Sequence, residues 1–453
     1  MYSNPPTITF MIMKHINKYI FASATLIAFA SAFSSCKNEE DDIFDASAAE
    51  RLEQAKTENH NLLCAAPNGW AMQYFADNTD EGGYTFLMKF DKNTSVKIAA
   101  NSSLTGNVYK EETSMFDVIA DYGPVLTFNS YNSIFHQLAD PYDVPSLPGD
   151  ESGYGHRGDY EFIIMDATAE RIELRGKKHG KTIIMTALDA DTDWETYFSD
   201  LTAFSNSLFD SRLDPLVLDV NGEKYTLTGS NTGVFNAVPD GGDAISQTTK
   251  IPFIVNDKGI RFGSPFEGLD ENFSVESFIL DEEGKLVSDE GDSAIIQAYG
   301  VPAETFMLKK CVWSIDMENL GGEFVSAFQA VADDCNTALK RNFLGINFAY
   351  DKKERSSEES YMFSFLISGT SAKAYLYSDF KISESGNFGF NVSLTEGNTN
   401  GMNRVNRIAA LTDLVNLLNS SEYKVTSDDP IKRTTLKFES VSKPENTFYV
   451  TLK

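Results

Sequence analysis

Residues 160–188 decide the fold class, and they read YEFIIMDATAERIELRGKKHGKTIIMTAL. Three short runs of apolar and β-branched residues are separated here by turn residues, and Gly176 and Gly180 bracket the second turn. The runs are residues 160–165, 171–175 and 182–188. Runs of this length with such separators predict antiparallel strands joined in a meander.

Segments on both sides of this meander continue the pattern. Apolar residues alternate over residues 70–74, and Asp91-Lys92-Asn93 separates two further runs at 84–90 and 95–100. These runs predict a hairpin. In the second half of the chain, Asn221-Gly222 predicts a two-residue hairpin, because both residues tolerate a positive φ at its corners.

Four amphipathic helices are predicted among the strands. Apolar residues three and four positions apart mark them; Asp45 or Ser47 can cap the first, and Asp193 can cap the second. The predicted helices cover residues 48–63, 194–209, 323–341 and 405–418. The sequence therefore predicts an α+β fold that is predominantly antiparallel β, with sheets or partly closed barrels covered by a few amphipathic helices.

A helix followed by strands occurs twice in this prediction, at residues 48–100 and 323–378. A duplicated unit would produce this pattern. Two independent sheets that each need a covering helix would produce it too, and we favour that interpretation because the residues are scarcely alike.

The first 35 residues have the pattern of a cleaved export signal. Lys14 and Lys18 precede an uncharged run at residues 19–33. As a helix this run would rise about 22 Å, short of a hydrocarbon core about 30 Å thick. Residues 33–36, Phe-Ser-Ser-Cys, then place two small residues before Cys36, although leucine is commoner than phenylalanine at the first of these positions. We predict cleavage before Cys36 and lipidation of its sulfur; a buried or paired cysteine after an ordinary signal is the alternative.

An acidic tether at residues 36–46 follows the signal. Lys37 precedes four consecutive acids at residues 39–42. This pattern resembles the signal that sends Bacteroidota lipoproteins to the outer face of the outer membrane; a solvated linker is the alternative. Beyond the tether we expect an N-terminal β-rich domain at 47–213 and a C-terminal α+β domain at 214–453.

The charge of the chain limits its partners. Removing residues 1–35 leaves 36 basic against 66 acidic residues, a net charge of −30. Such a body repels nucleic acid and an anionic lipid surface, so we expect no nucleic-acid partner and anchoring by the lipid alone.

Three cysteines remain beyond Cys36, so at most one disulfide can form among them. They are Cys64, Cys311 and Cys335, and the last two are the favoured pair because both lie late in the chain. The absence of a CxxC pattern argues against a zinc ribbon and against dithiol redox chemistry.

Residues 66–70, Ala-Pro-Asn-Gly-Trp, with Tyr74 after them and the Cys36 tether before them, resemble a family of Bacteroidota outer-membrane lipoproteins of unknown function, domain-of-unknown-function family 4302. Other similar stretches are residues 83–84, 87–90, 123–128, 158–162 and 174–178. The resemblance is firm over residues 36–190 and general beyond them. It implies an envelope lipoprotein, often encoded beside outer-membrane nutrient importers and their lipoprotein partners, and it supplies no catalytic residues.

Two patterns imitate ligand sites. Residues 153–158, GYGHRG, match a dinucleotide fingerprint, but they precede a strand and open no helix, so a flexible loop is favoured. Four aspartates imitate a calcium loop, but Trp194 stands where that loop needs glycine, so helix capping is favoured. These aspartates are Asp189, Asp191, Asp193 and Asp200. We therefore expect no metal and no cofactor.

Histidines and tyrosines are weaker candidates for functional residues. The histidines beyond the signal, none of them at a zinc-binding spacing, are His60, His136, His156 and His179. We expect each on the surface or in a loop. Tyr375 and Tyr377 share one strand face, and with Tyr361 on a neighbouring strand they could form an exposed aromatic patch; packing against a covering helix is the favoured alternative.

These observations favour a surface-exposed lipoprotein of the outer membrane that is not an enzyme, and we expect no catalytic residues. Its expected role is to capture a nutrient or to dock on an outer-membrane importer. A cell-surface hydrolase acting on peptide or glycan is the main alternative, because catalytic carboxylates can be scattered along a sequence. A structural envelope protein is the third.

Overall fold

A computed structural model describes residues 47–141, 155–268, 274–289, 294–353 and 358–453. Residues 52–453 form one compact unit; of the other unit, residues 1–51, only residues 47–51 are described. The predicted signal, the tether and Cys36 lie outside the described residues. Within the described ranges, no helix combines the length and apolar character needed to cross a membrane.

The first of three β-barrels has eight antiparallel strands in chain order, and β8 pairs with β1 to close it. Because successive side chains point to opposite faces of a strand, alternate residues such as Trp70, Met72 and Phe162 fill the interior. The preceding helix α1 (Ala48–Ala65) adds Leu63 to this core. Short 3₁₀ turns occur at Ser103–Thr105 and His136–Ala139. The strands are β1 (Trp70–Tyr74), β2 (Tyr84–Phe90), β3 (Ser95–Ala100), β4 (Lys110–Ala120), β5 (Pro124–Phe128), β6 (Glu161–Ala167), β7 (Arg171–Gly176) and β8 (Thr182–Ala187).

Helix α2 (Trp194–Leu208) connects the first barrel to the second. The second barrel is also closed, by pairing of its last strand with its first. Leu208 and Phe209, at the end of α2, belong to its core. The strands are β9 (Leu216–Val220), β10 (Glu223–Thr228), β11 (Val234–Pro239), β12 (Thr249–Val255), β13 (Gly259–Phe266), β14 (Val275–Leu280), β15 (Leu286–Ser288) and β16 (Ala294–Ala298).

A short helix, α3 (Pro302–Phe306), leads into the third closed barrel, and Phe306 lies in that barrel's core. Three further helices pack their apolar faces against the same core: α4 (Glu323–Leu339), α5 (Thr399–Arg407) and α6 (Ala409–Asn419). The strands are β17 (Val312–Leu320), β18 (Phe343–Lys352), β19 (Glu359–Ile367), β20 (Tyr375–Ile382), β21 (Phe388–Gly397), β22 (Glu422–Thr426), β23 (Thr435–Ser440) and β24 (Thr447–Leu452).

The third barrel reaches back into the second through the loop between β22 and β23. Ile431, 3% exposed, belongs to the core of the second barrel. Beside it, Pro430 O accepts a hydrogen bond of 2.7 Å from Ala298 N–H at the end of β16. Arg433 donates through Nη1 to Gly300 O at 3.0 Å. The second barrel is therefore completed by a residue of the third.

The predicted fold class is confirmed: antiparallel strands dominate, and the barrels are fully closed. Residues 47–213 contain the first barrel and α2, whereas residues 214–453 contain two barrels. The two predicted helix-then-strand segments occupy different places, since α1 precedes the first strand of its barrel and α4 follows the first strand of its own. The helices α1 and α4 therefore do not occupy equivalent positions in their barrels.

The favoured disulfide is wrong, because Cys311 and Cys335 are both free and buried. Cys311 Sγ donates instead to Arg212 O at 3.3 Å, and Cys335 lies in α4 against the barrel core. Burial raises the pKa of both thiols to about 11. At neutral pH both sulfurs are therefore protonated and unreactive.

We expect iodoacetamide to label Cys64 first in the native protein, because it is the more exposed of the three thiols. After unfolding in urea without reductant, Cys311 and Cys335 should label as well. Peptide mass spectrometry measures both steps. Labelling of these two residues only after addition of a reductant would show a disulfide.

Candidate functional site

Helix α2 bridges the first two barrels, and its sequence explains where it begins. Asp193 Oδ1 accepts a hydrogen bond of 2.8 Å from Thr196 N–H, which satisfies a free amide of the first turn. This bond lowers the pKa of the Asp193 carboxyl, so it is ionised at neutral pH. Trp194 and Phe198 pack on the outer face of the first barrel, while Leu208 lies in the second barrel's core.

The two barrels also contact each other directly, through glycines. Gly82 and Gly233 approach so closely that a Cβ at Gly82 would lie 2.7 Å from the carbonyl oxygen of Gly233. Arg261, 4% exposed, donates through Nη2 to Thr182 O of the first barrel at 2.9 Å and packs over the Phe75 ring at 5.3 Å. These contacts hold the first and second barrels in a defined arrangement.

A cleft of about 540 Å³ lies between α2 and the two barrels, and we call it the inter-barrel cleft. Strands of the first barrel form one wall, α2 and the loop before it form another, and the end of β12 with the following turn forms the third. Its volume is within the range of small-molecule sites. The lining residues are Ala71, Gln73, Thr85, Thr186, Ala187, Leu188, Asp189, Thr192, Asp193, Thr196, Tyr197, Asp200, Leu201, Phe204, Val255, Asn256 and Asp257.

The cleft combines an apolar floor with acidic edges. Its carboxylates are Asp189, Asp193, Asp200 and Asp257, and no lysine, arginine or histidine of the described segments lines it. Burial and the negative charge of Asp257 together raise the pKa of Tyr197 to about 12. Its phenol is therefore protonated at neutral pH and can donate a hydrogen bond.

A second pocket of about 270 Å³ lies beside the inter-barrel cleft. The two share Thr85, Leu201 and Val255, so they are neighbouring parts of one junction. The second pocket is lined by hydroxyl, amide and aromatic groups, such as those of Asn101, Ser205, Asn231 and Phe253. Among the described residues, no charged side chain lines it. The junction thus offers a charged site next to an uncharged polar one.

Comparison with known proteins identifies the region that contains this junction. The family model described as Domain of unknown function (DUF4302) matches residues 40–282, more than half of the chain. The chain belongs to this family. Every lining residue of both pockets falls within the matched region of the DUF4302 chain, whereas the third barrel lies outside it.

Other comparisons contribute no argument about function. No curated protein matches the chain. A solved structure of the DnaN sliding clamp (DNA polymerase III subunit beta) from Bartonella birtlesii, bound to griselimycin, aligns over 90% of this chain and 98% of that chain at 9% identity. Its TM-score is 0.10, which is too low to indicate a shared fold.

The structure shows where the four aspartates of the calcium-like pattern lie. Asp193 caps α2, as predicted, and three members of the pattern, Asp189, Asp193 and Asp200, line the inter-barrel cleft. Asp191 does not line it. Among the residues that the structure describes, no group of three or more acidic, histidine or cysteine side chains is arranged to hold a metal. Sequence reasoning missed Asp257, which comes from a different barrel.

His156 lies outside the helices and strands, as expected, but it is not a surface residue. It lies in a turn but is only 1% exposed, and its Nδ1 lies 2.6 Å from Glu81 Oε2. Tyr84 donates its hydroxyl hydrogen to the same carboxylate oxygen at 2.7 Å. A residue 75 positions away in the chain supplies this contact, so no local pattern could have indicated it.

The other histidines are partly buried and support local structure. His136 Nδ1 accepts a hydrogen bond from Asn132 N–H at 3.0 Å, and its Nε2 lies 3.3 Å from Phe128 O. These contacts fit a neutral ring with its hydrogen on Nε2, and burial lowers the pKa of His136. His60 stacks on Phe116 with ring centroids 5.5 Å apart. His179 Nδ1 lies 3.7 Å from Asp77 Oδ2.

The two remaining patterns also have definite positions. The described part of the dinucleotide-like segment, Gly155 to Gly158, is a turn and loop that leads into β6 and opens no helix, as expected. Tyr375 and Tyr377 share a face of β20, with ring centroids 5.7 Å apart. Tyr361 is opposite Ser378, so it points to the other face, where it packs on Phe380. The three tyrosines do not form one patch.

Proposed function

We propose that this DUF4302 chain is a lipid-anchored protein of the outer membrane of a Bacteroidota cell, facing the exterior, that captures a nutrient in the inter-barrel cleft. In this proposal the bound nutrient is passed to an outer-membrane importer on which the protein docks. The observation that carries the proposal is a small-molecule-sized cleft whose walls all lie inside the family region.

The junction has the properties of a binding site. Its walls come from two closed barrels and the helix that bridges them, so the cleft is formed before a ligand arrives. A preformed site avoids the entropy cost of ordering loops around the ligand. The lowered pKa of Asp193 is the opposite of what a general acid at neutral pH requires, so this residue does not suit that role.

The lipid anchor is tested by substituting the predicted acceptor. With an alkyne-labelled fatty acid in the growth medium, we expect the natural protein to incorporate the label and Cys36→Ala to lose it completely. Cys64→Ala is the matched control and should keep the label. Protease treatment of intact cells should digest the natural protein if it faces the exterior. An unlabelled natural protein, or one protected until the cells are lysed, contradicts the proposed location.

Capture is tested with the protein at its natural membrane. Affinity purification from intact membranes should bring down an importer component, and mass spectrometry of the eluate should find a bound small molecule. Purified protein should leave glycans and peptides intact. Cleavage of either, without importer or ligand, would support the hydrolase instead.

A further inference from the structure

We infer that the inter-barrel cleft selects small organic amines or guanidines, in which a positive charge is attached to an apolar body. This inference rests on the proposed function and specifies the chemical class of the captured nutrient. It starts from the distribution of charge in the cleft. The four carboxylates come from three segments: the loop before α2, α2 itself and the turn after β12.

Within the part of the chain that the structure describes, no lysine, arginine or histidine forms a salt bridge with Asp189, Asp193, Asp200 or Asp257, the carboxylates of the cleft. The nearby Lys97 lies over the Trp194 ring at 4.6 Å and pairs with Glu111 at 3.1 Å. Lys258 follows Asp257 in the chain but does not line the cleft. The cleft therefore keeps a negative potential that attracts cations and repels anions.

An uncharged side chain of the cleft also favours a ligand that donates hydrogen bonds. Gln73 lies on β1 with a half-buried side chain, and its Oε1 has no hydrogen-bond partner among the described residues. A buried acceptor without a partner is costly, and a ligand that donates hydrogen bonds can offset this cost after a small rotation of the amide. Ammonium and guanidinium groups carry donors and no acceptors.

The floor of the cleft determines the rest of the ligand. Leu188, Leu201, Phe204 and Val255 contribute aliphatic and aromatic carbon to the lining of the cleft. A hydrated inorganic ion gains nothing from such a surface, whereas an alkyl or aryl body is removed from water there. The carboxylates therefore select a positively charged group at one end of the ligand, and the apolar side chains select an alkyl or aryl group in the rest of it.

Three probes of matched length test the inference: hexylamine, 1-hexanol and hexanoate. Each is titrated by calorimetry into the purified full-length lipidated protein in detergent, with a titration into micelles alone subtracted. We expect hexylamine to bind about tenfold more tightly than hexanol, because the carboxylates of the cleft attract only the charged probe. We expect no binding of hexanoate. Raising the salt concentration should weaken only the amine, because salt screens exposed charges.

Variants locate the site. Asp200→Asn combined with Asp257→Asn should weaken hexylamine binding about tenfold and leave hexanol unchanged. Asp166→Asn, which removes an exposed carboxylate of β6 outside the cleft, is the matched control and should bind hexylamine like the natural protein. An equal loss in this control would show that net charge, and not the cleft, attracts the amine.

The remaining outcomes separate this inference from the proposed function. If hexanol binds as tightly as hexylamine, the cleft captures ligands but does not select for charge, and only the inference fails. If none of the probes binds, the inference about amines fails, and the search for a bound small molecule in the membrane eluate decides the proposed capture separately. Saturable displacement of hexylamine by millimolar Ca²⁺ would identify a metal site and would also overturn the inference.

Discussion

Phe306→Ala is expected to destabilise the protein by about 3 to 5 kcal/mol, the usual cost of deleting a buried phenylalanine ring. Phe306 ends the short helix α3 and is only 2% exposed inside the third barrel. Its ring contacts six other aromatic rings, with centroid distances from 5.1 to 6.0 Å. The partners are Trp313, Phe348, Phe380, Phe388, Phe390 and Phe438. Removing the ring would leave a cavity that these rigid neighbours cannot fill, because closed strands cannot move inward independently.

The free energy of unfolding from urea denaturation measures the effect, and hydrogen exchange of β17 to β24 shows whether the loss is centred on the third barrel. Phe306→Leu should cost less, because leucine fills part of the space. Val325→Ala, at a position of α4 that is 53% exposed, is the surface control and should change stability by less than about 0.5 kcal/mol. An alanine variant that unfolds at the same urea concentration as the natural protein would contradict this account of the core.

Breaking the buried contact between Glu81 and His156 is expected to cost about 3 to 5 kcal/mol, because removing one partner leaves the other buried without compensation. His156→Phe keeps a ring of similar shape but removes the nitrogen beside Glu81 Oε2. The Glu81 side chain, 6% exposed, would then keep only Tyr84 as a hydrogen-bond donor among the described residues.

A double replacement separates the cost of a lone partner from the loss of packing. Glu81→Leu combined with His156→Phe should be more stable than His156→Phe alone, since no unpaired carboxyl remains. Glu111→Gln, which breaks the exposed Lys97–Glu111 pair, is the matched control and should cost at most about 1 kcal/mol. Chemical denaturation of all four proteins is the measurement. Equal losses in the buried and exposed pairs would show that burial does not set the cost.

Local features of this fold could be predicted, because they depend on neighbouring residues. Asn221 and Gly222 have φ angles of 53° and 91°, and they form the predicted two-residue turn between β9 and β10. Helix α2 begins after its predicted cap. The sequence did not predict strands β11, β16, β17 and β22. In β11, Asn236 and Pro239 interrupt the apolar pattern. Propensity and turn chemistry therefore indicate most elements but not all of them.

Closure of the barrels could not be predicted. It requires β1 to pair with β8 and β9 to pair with β16, and the alternation of apolar residues is the same in an open sheet and in a closed one. The same limit applies to the candidate site. The sequence marked Asp189 and Asp200, but it could not place Asp257 beside them. That proximity depends on how Gly82 and Gly233 bring two barrels into contact.

The insertion of Ile431 into the second barrel has a consequence for how this region can be inherited. The family match ends at residue 282, before β15 and β16. The matched stretch alone therefore lacks two strands of its second barrel. A chain that ended after β16 would have a complete set of strands but would still lack Ile431, a buried residue of the second barrel's core. If the matched stretch were joined to an unrelated domain, another residue would have to take the place of Ile431 in the core of the second barrel.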